Sequence, residues 1–273
     1  MENYFETTAA ELIKPYGKLQ IHVLGDSGAV FYQMALDMVH IIQKNNAKGA
    51  PTVLIIPVGP VGQYPFFIRL VQELQLSLKN CYFLNMDEYL DDNQHYIDTT
   101  NRLSFRGFME REVYAQIPHA LTIPEEQRFF PDPADPQKIQ RVIDEIGGVD
   151  MAFGGIGING HLPFNEAEEN VESAVFKNRE TRVIEISRET RVANAIGDLH
   201  GAIDCMPRYA ITIGLKQILQ ARSIRIGVFR DWHRAVIRQT AFGPVSSHFP
   251  STFLREHDDS IIYVNNVASQ RPF

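Results

Sequence analysis

The chain has 273 residues, of which 44% are hydrophobic and 22% are charged, values typical of a soluble globular protein. This composition excludes intrinsic disorder and a small fold held together by disulfides. Acidic residues outnumber basic ones, 33 against 26, and the formal net charge of -7 argues against a nucleic-acid binder. Cys81 and Cys205 stand far apart in the sequence and form no zinc or redox motif.

The sequence also predicts no contact with a membrane. No apolar run reaches the roughly 18 residues that a membrane-spanning helix needs. The first residues carry charges where a signal peptide would have its apolar stretch. We therefore expect a cytoplasmic protein with neither a membrane nor a nucleic acid as partner.

Short apolar segments alternate with amphipathic segments along most of the chain. Several apolar segments show no polar alternation, which is expected of parallel strands covered by helices on both faces. This pattern predicts one domain over residues 1–273, an α/β fold with a mostly parallel central sheet in a three-layer α/β/α sandwich. In chain order the predicted elements are strand 19–24, a helix capped by Ser27, strand 52–58, helix 65–76, strand 81–86, helices 104–117 and 136–146, strands 149–155, 182–187 and 209–214, helix 215–221, strand 224–229, helix 232–240 and strand 260–265.

Ligands of open α/β sheets bind beyond the carboxyl ends of the strands, so the loops that follow strands are the first candidates for a site. The loop at 57–65 holds Gly59 and Gly62 before a predicted helix. Their backbone N–H groups could bind a phosphate or carboxylate, although a tight turn would explain the glycines equally well.

The second loop, at 85–92, places four carboxylates after an apolar strand. A carboxylate at a strand end, such as Asp87, is well placed to act as a general base. An acidic turn and a metal site stay open as alternatives, and the absence of His or Cys nearby in sequence disfavours metal.

The third loop, at 154–166, contains Gly155, Gly157 and Gly160 in a formal GxGxxG pattern. A dinucleotide site needs the last glycine to open a helix, and His161 and Pro163 interrupt that context. The glycines therefore predict a backbone that approaches a ligand closely, with His161 beside it. Glu166, five residues later, could orient the imidazole of His161 for proton transfer.

The chain resembles the glucosamine-6-phosphate deaminases in four motifs that occur in the family's order. These motifs are NMDEY (85–89), GGIGINGHLPFNE (154–166), TRVAN (190–194) and PRYAITIG (207–214). The family belongs to a wider group with the 6-phosphogluconolactonases and sugar-phosphate isomerases. The resemblance implies a Rossmann-like α/β sandwich and covers about residues 50–240.

The resemblance also implies roles for individual residues. Asp87 matches the base that moves a proton between C1 and C2, and His161 matches the group that opens the sugar ring. Glu166 matches the carboxylate that supports this histidine. Arg191 matches an arginine that binds the 6-phosphate, and Arg234 lies near the position of a phosphate-binding lysine.

Three departures from the family's pattern concern the binding of the substrate. Asn159 replaces an aspartate, so it keeps the hydrogen bonding near His161 without the charge. The loop VGPVGQYP (58–65) lacks the hydroxyl residue of the family's phosphate loop, and Pro60 has no N–H group. Arg234 stands where the family has lysine, which keeps the charge and changes its geometry.

These residues predict an enzyme that isomerises a sugar phosphate and deaminates an amino sugar phosphate to fructose 6-phosphate and ammonia. We expect hydrolase chemistry in the final step, no metal and no cofactor, because every step is a proton transfer or a hydration. The lower-ranked alternatives are a non-catalytic sugar-phosphate sensor and a 6-phosphogluconolactonase-type hydrolase. The true substrate and a homo-oligomeric assembly stay open.

The anion-binding prediction has one further basis in the charge distribution. Lys and Arg outnumber Asp and Glu by 12 to 6 between Lys177 and Arg238, in an otherwise acidic chain. Such a segment could bind a small anion, although solvated helix faces would also account for it.

Overall fold

The computed structural model describes residues 3–273, which form ten β-strands and ten α-helices. The strands are Gln20–Leu24 (β1), Thr52–Ile56 (β2), Cys81–Asn85 (β3), Asp87–Leu90 (β4), Arg128–Phe129 (β5), Met151–Gly154 (β6), Arg182–Glu185 (β7), Tyr209–Thr212 (β8), Ser223–Val228 (β9) and Ser260–Asn265 (β10). The helices are Ala9–Leu12 (α1), Ser27–Asn46 (α2), Gln63–Glu73 (α3), Phe105–Phe108 (α4), Lys138–Ile146 (α5), Ser173–Lys177 (α6), Arg188–Asp198 (α7), Leu215–Leu219 (α8), His233–Phe242 (α9) and Asn266–Ser269 (α10).

Seven strands form a parallel central sheet in the order β1–β10–β9–β6–β2–β3–β5. From β2 the chain continues outward to β3 and β5, whereas from β6 it continues to the other side, to β9 and β10. The boundary between β2 and β6 is therefore the topological switch point, where ligands of open α/β sheets bind.

The strand residues divide between the two faces of this sheet. Along β2, Val53 and Ile55 pack into one hydrophobic cluster, and Leu54 and Ile56 pack into another. The first cluster includes apolar residues of α5, α8 and α9, and the second includes those of α2 and α3. Because successive side chains of a strand point to opposite faces, helices cover both faces. The predicted three-layer α/β/α sandwich is confirmed.

Two of the predicted strands belong to a different sheet. Strands β7 and β8 pair antiparallel with each other, and β8 pairs antiparallel with β4. Strand β4 was not predicted, because its residues directly follow β3 and the acidic sequence resembles a turn. This small sheet covers a third apolar cluster, which includes Tyr89, Phe164 and Ala210.

Several predicted helix boundaries differ from the structure. The side chain of Asp26, not Ser27, caps α2 by accepting a hydrogen bond from the Ala29 N–H at 2.8 Å. Helix α3 begins two residues before Pro65, which fits the first turn because no intrahelical bond needs its N–H group there. Helix α5 ends at Gly147, whose φ of 92° suits glycine.

The predicted helix 104–117 is not continuous. It consists of α4, a π-helical turn at Met109–Val113 and a 3-10 turn at Tyr114–Gln116. Conversely, α7 was not predicted, because only four of its eleven residues, two alanines among them, are apolar. Within residues 3–273, no helix is long and apolar enough to cross a membrane.

Candidate active site

A cavity of about 390 Å³ opens at the carboxyl ends of β2, β3, β6 and β9. The loops after β2 and β6, at the switch point, form two of its walls. Helix α7 and the segment 102–108 form the others. Of the predicted site residues, the cavity is lined by Asp87, His161, Gly59, Gly155 and Gly157.

Asp87 lies at the floor of the cavity, at the start of β4. The residue is 8% exposed, and its carboxyl group forms no hydrogen bond with any other group in residues 3–273. Burial, and secondarily the charge of Glu88, raises the pKa of Asp87 to about 8. A buried carboxylate that lacks donors is a strong base, so Asp87 can accept a proton from carbon.

Glu88 is fully buried and points away from the cavity, as alternation along β4 requires. Its carboxylate accepts five hydrogen bonds, from the backbone N–H groups of Tyr89, Phe105 and Arg106, the Ser104 hydroxyl and the Arg106 guanidinium. Glu88 therefore anchors the start of α4, whose neighbouring residues line the cavity. Only one of the four carboxylates of the acidic loop faces the site.

The glycines of the loop after β6 determine where the ring of His161 lies. A Cβ atom on Gly157 would fall 1.9 Å from the Cε1 atom of His161, so this ring packs on bare backbone. Gly160 has a φ of 79°, and a Cβ there would meet the ring of Phe249. Gly155 lies against Pro60 on the cavity wall. These glycines are thus required for packing.

Asn159 lies between His161 and Glu166. Its Nδ2 atom donates to Glu166 Oε2 at 2.6 Å, and its Oδ1 atom lies 2.8 Å from His161 Nδ1. Because the carboxylate can only accept, the amide oxygen must face the imidazole. The Nδ1 atom of His161 is therefore the protonated one, and Nε2 carries the free lone pair of the neutral ring.

Glu166 supports His161 mainly through Asn159. Its Oε2 atom is 3.7 Å from His161 Nδ1, beyond a hydrogen bond, and it accepts from the Thr190 hydroxyl at 3.1 Å. The backbone N–H of Ser187 donates to its other oxygen at 3.3 Å. Burial lowers the pKa of His161, and Glu166 partly opposes this, so the imidazole is neutral near pH 7.

The loop after β2 differs from a phosphate-binding loop. Gly59 lines the cavity, with open space where a Cβ would be. Gly62 does not line the cavity, because it packs against the ring of Phe31. The other residues of this wall are apolar, namely Pro57, Val58, Pro60 and Val61.

Neither arginine that the resemblance places at the phosphate lines the cavity. Arg234 forms an ion pair with Asp231 at 2.6 Å and donates to the Arg271 carbonyl at 3.3 Å. Arg191, on α7, is absent from the lining, whereas Asn194 and Asp198 of the same helix contribute to it.

Two arginines that the sequence analysis did not select line the cavity, Arg102 and Arg230. Arg230 could have been found, because it comes directly after the predicted strand 224–229. Arg102 lies in a turn with no recognisable motif, and only the fold brings it to the site.

The loop after β6 does not have the context of a dinucleotide site. Residues 155–172 form turns and irregular segments, and the first helix after β6 begins at Ser173. No group of three His, Cys, Asp or Glu side chains within residues 3–273 is arranged to hold a metal ion.

No family model matches the chain, but curated proteins and solved structures do. A glucosamine-6-phosphate deaminase from Bacillus pumilus is 29% identical over 244 residues, which cover 86% of this chain and 94% of the relative. The chain is therefore similar in sequence to glucosamine-6-phosphate deaminases over most of its length. The predicted resemblance is thereby confirmed.

The solved structures that share the fold include deaminases and lactonases. A monomeric glucosamine-6-phosphate deaminase superposes with a TM-score of 0.79 at 24% identity, covering 91% of this chain and 98% of that chain. A 6-phosphogluconolactonase from Trypanosoma cruzi gives a TM-score of 0.66 at 16% identity, covering 93% and 97%. At these identities the likeness concerns the fold, and the Rossmann-like α/β prediction is confirmed.

Proposed function

We propose that this chain isomerises an amino sugar phosphate from aldose to ketose and releases its amino group as ammonia, as a glucosamine-6-phosphate deaminase does. One observation carries the proposal. Asp87, a buried carboxyl without hydrogen-bond donors, and His161, a neutral imidazole with its Nδ1 atom engaged, line the same cavity. This combination provides two bases of different strength for two proton transfers.

The first transfer opens the sugar ring. The Nε2 atom of His161 accepts the proton of the O1 hydroxyl and returns it to the ring oxygen O5 as the C1–O5 bond breaks. Asn159 accepts a hydrogen bond from Nδ1–H throughout this step, and Glu166 holds Asn159. The amide network thus keeps one tautomer and one ring orientation.

The second transfer moves hydrogen along the carbon chain. Asp87 removes the proton from C2, which gives an enolamine, and returns it to C1. The product is an imine at C2. Water then adds to the C2 imine and the C2–N bond breaks, so that ammonia and the ketose phosphate leave. All steps balance without a redox partner.

The hydrolase class that the sequence analysis also predicted has weaker support. The curated relative supports a deaminase, whereas only fold-level likeness points to a lactonase. The residues after the histidine, LPFNE at 162–166, also differ from the TASLF that is typical of lactonases. Localisation in the cytoplasm and a single domain over residues 1–273 remain predictions.

The proposal is tested with a panel of phosphorylated amino sugars, neutral sugars and 6-phosphogluconolactone in deuterated water. We expect ammonia and ketose from an amino sugar phosphate, with solvent deuterium entering at C1. Lactone hydrolysis without isomerisation would overturn the proposal. Tight binding without any turnover or exchange would indicate the sensor alternative and would also overturn it.

A further inference from the structure

The wall of the cavity nearest the switch point is poorly suited to an anion. Pro57, Val58, Pro60 and Val61 present apolar surface, and no hydroxyl group is present between residues 57 and 63. Pro60 also lacks the N–H group that a phosphate-binding loop would supply. Placing a phosphate against this wall would remove water from its charge without replacing the lost hydrogen bonds.

The rim of the cavity carries two unpaired cations. The side chains of Arg102 and Arg230 line the cavity, and neither forms an ion pair or a hydrogen bond with another group in residues 3–273. By contrast, Arg234 is neutralised by Asp231. Within the same range of residues, Arg191 also has no ion pair, and its Nε atom is buried without a hydrogen-bond partner, but it does not line the cavity. Guanidinium groups without partners at a cavity rim are well suited to bidentate binding of phosphate oxygens.

Helix α7 leaves room for one of these arginines. A Cβ atom on Gly197 would lie 2.9 Å from the Nη1 atom of Arg230. Gly197 lines the cavity together with Asn194 and Asp198. The missing side chain at 197 therefore lets the Arg230 guanidinium approach the helix and reach the cavity.

Asp198 is the one acidic group beside this pair on the cavity lining. Burial raises the pKa of Asp198, and the charges of Arg230 and Arg102 oppose this increase. Two positive charges face one negative charge, so the rim keeps a net positive charge that an anion can neutralise.

We propose that Arg102 and Arg230 bind the phosphate monoester of the substrate, in place of the loop after β2 and of Arg191 and Arg234. The substrate would then lie across the cavity, with its phosphate at this rim and its C1–C2 end at Asp87 and His161. This inference rests on the proposed function for the orientation of the substrate, but the anion site itself does not depend on turnover.

The test measures binding of inorganic phosphate by calorimetry and competition of phosphate with the sugar phosphate. We expect Arg102→Gln and Arg230→Gln each to weaken phosphate binding roughly tenfold to a hundredfold, the value of a charge-assisted hydrogen bond. Arg188→Gln, which removes an exposed charge of α7 that does not line the cavity, is the matched control and leaves phosphate binding unchanged.

Three results would overturn the proposal. Phosphate binding could persist in the Arg102→Gln, Arg230→Gln double variant. It could be lost in Arg191→Gln or Arg234→Gln instead. Alternatively, an unphosphorylated sugar acid could bind better than the sugar phosphate, which would assign the rim to a carboxylate. Because these measurements need no catalysis, a protein that binds phosphate at this rim but releases no ammonia would contradict only the proposed function.

Gly197→Ala provides a second test without removing a charge. The added methyl group displaces the Arg230 guanidinium, so KM for the sugar phosphate should rise while kcat stays near the wild-type value. Gly25→Ala, at a glycine with open space around it, controls for the effect of the methyl group on stability. An unchanged KM in Gly197→Ala would contradict a role of Arg230 in binding.

Discussion

The two sides of the cavity differ in how the structure holds their side chains. On one side His161, Asn159 and Glu166 form a hydrogen-bonded chain whose members are largely buried, with Asp87 in an apolar setting beside them. On the other side Arg102 and Arg230 are exposed. Asp87 and His161, which we propose for proton transfer, thus have buried positions and shifted pKa values, as general acid–base chemistry requires, whereas long exposed arginines suffice to bind an anion.

Replacing the base should have the largest effect on this comparison. Asp87→Asn should lower kcat by about 10²- to 10⁴-fold, the usual contribution of a general base, while phosphate binding at the other rim is retained. Exchange of the C2 proton with solvent, followed by NMR, measures this step directly. Asp92→Asn, in the exposed part of the same loop, is the control. Exchange at the wild-type rate in Asp87→Asn would exclude Asp87 as the base.

The same variant should be more stable than the wild type at alkaline pH. The pKa of Asp87 is about 8 in the folded chain, above its ordinary value of 3.8, so the folded state holds this proton more tightly. Its contribution to stability is therefore present below pH 4 and is lost as the pH rises to 8, by about 1.4 kcal/mol per pH unit at most. Urea unfolding of the wild type and of Asp87→Asn at pH 5 and pH 8 measures the difference in stability between the two proteins. The same difference at both pH values would contradict the raised pKa.

Gly157→Ala should disturb the histidine without removing it. The new methyl group would overlap the His161 ring, and displacement by about 1 Å can cost roughly 10²-fold in rate. We expect the loss in kcat, with KM for the sugar phosphate little changed, since Arg102 and Arg230 are unaffected. Gly25→Ala again serves as the control. Full activity of Gly157→Ala would mean that the ring position is unimportant.

Glu88→Gln should lower stability, because Glu88 has a structural role that differs from the catalytic role proposed for its neighbour Asp87. The amide group would turn a donor toward the backbone N–H groups that now bind Glu88, which should cost about 1–3 kcal/mol in the free energy of unfolding. Glu185→Gln breaks an exposed ion pair with Arg208 and should cost less than about 1 kcal/mol. Denaturant unfolding of both variants tests this, and equal losses would remove the anchoring role of Glu88.

Asn159→Asp tests the link between His161 and Glu166 and should have the smallest effect. We expect it to lower turnover by about tenfold. The new carboxylate would meet Glu166 Oε2 where Nδ2 now donates at 2.6 Å, so one of the two carboxyl groups must hold a proton. The pKa of that carboxyl group is raised, and stability should fall as the pH rises through it.

Glu166→Gln added to Asn159→Asp should reverse this loss, because the glutamine amide can donate to the new carboxylate. The double variant would place an anion on His161 and raise its pKa, which should shift the acidic limb of the kcat profile to higher pH. An unchanged profile in the single and the double variant would leave Asn159 with a role in the turn alone.

The proton-transfer side of the site could be predicted from the sequence because its residues are close together in two short motifs. Asp87 comes two residues after the end of β3, and Gly157, Asn159, His161 and Glu166 lie within twelve residues after the end of β6. The bridging role of Asn159 could not be predicted, because a pattern of residue types contains no hydrogen-bond geometry. The resemblance implies that Glu166 supports His161, but it does not say that Asn159 connects the two.

The sequence by itself determined the α/β architecture, since apolar strands covered on both faces and amphipathic helices are local patterns, and it determined which residues we propose for proton transfer. Only the tertiary structure decided which strands leave the central sheet, which carboxylate of β4 faces the cavity, and which arginines reach it. Arg102 and Arg230 are separated by more than a hundred residues and lie in different loops, and the packing of α7 against Arg230 depends on contacts across the fold. Such contacts have no local pattern, because they arise only when distant segments come together at the edge of a folded sheet.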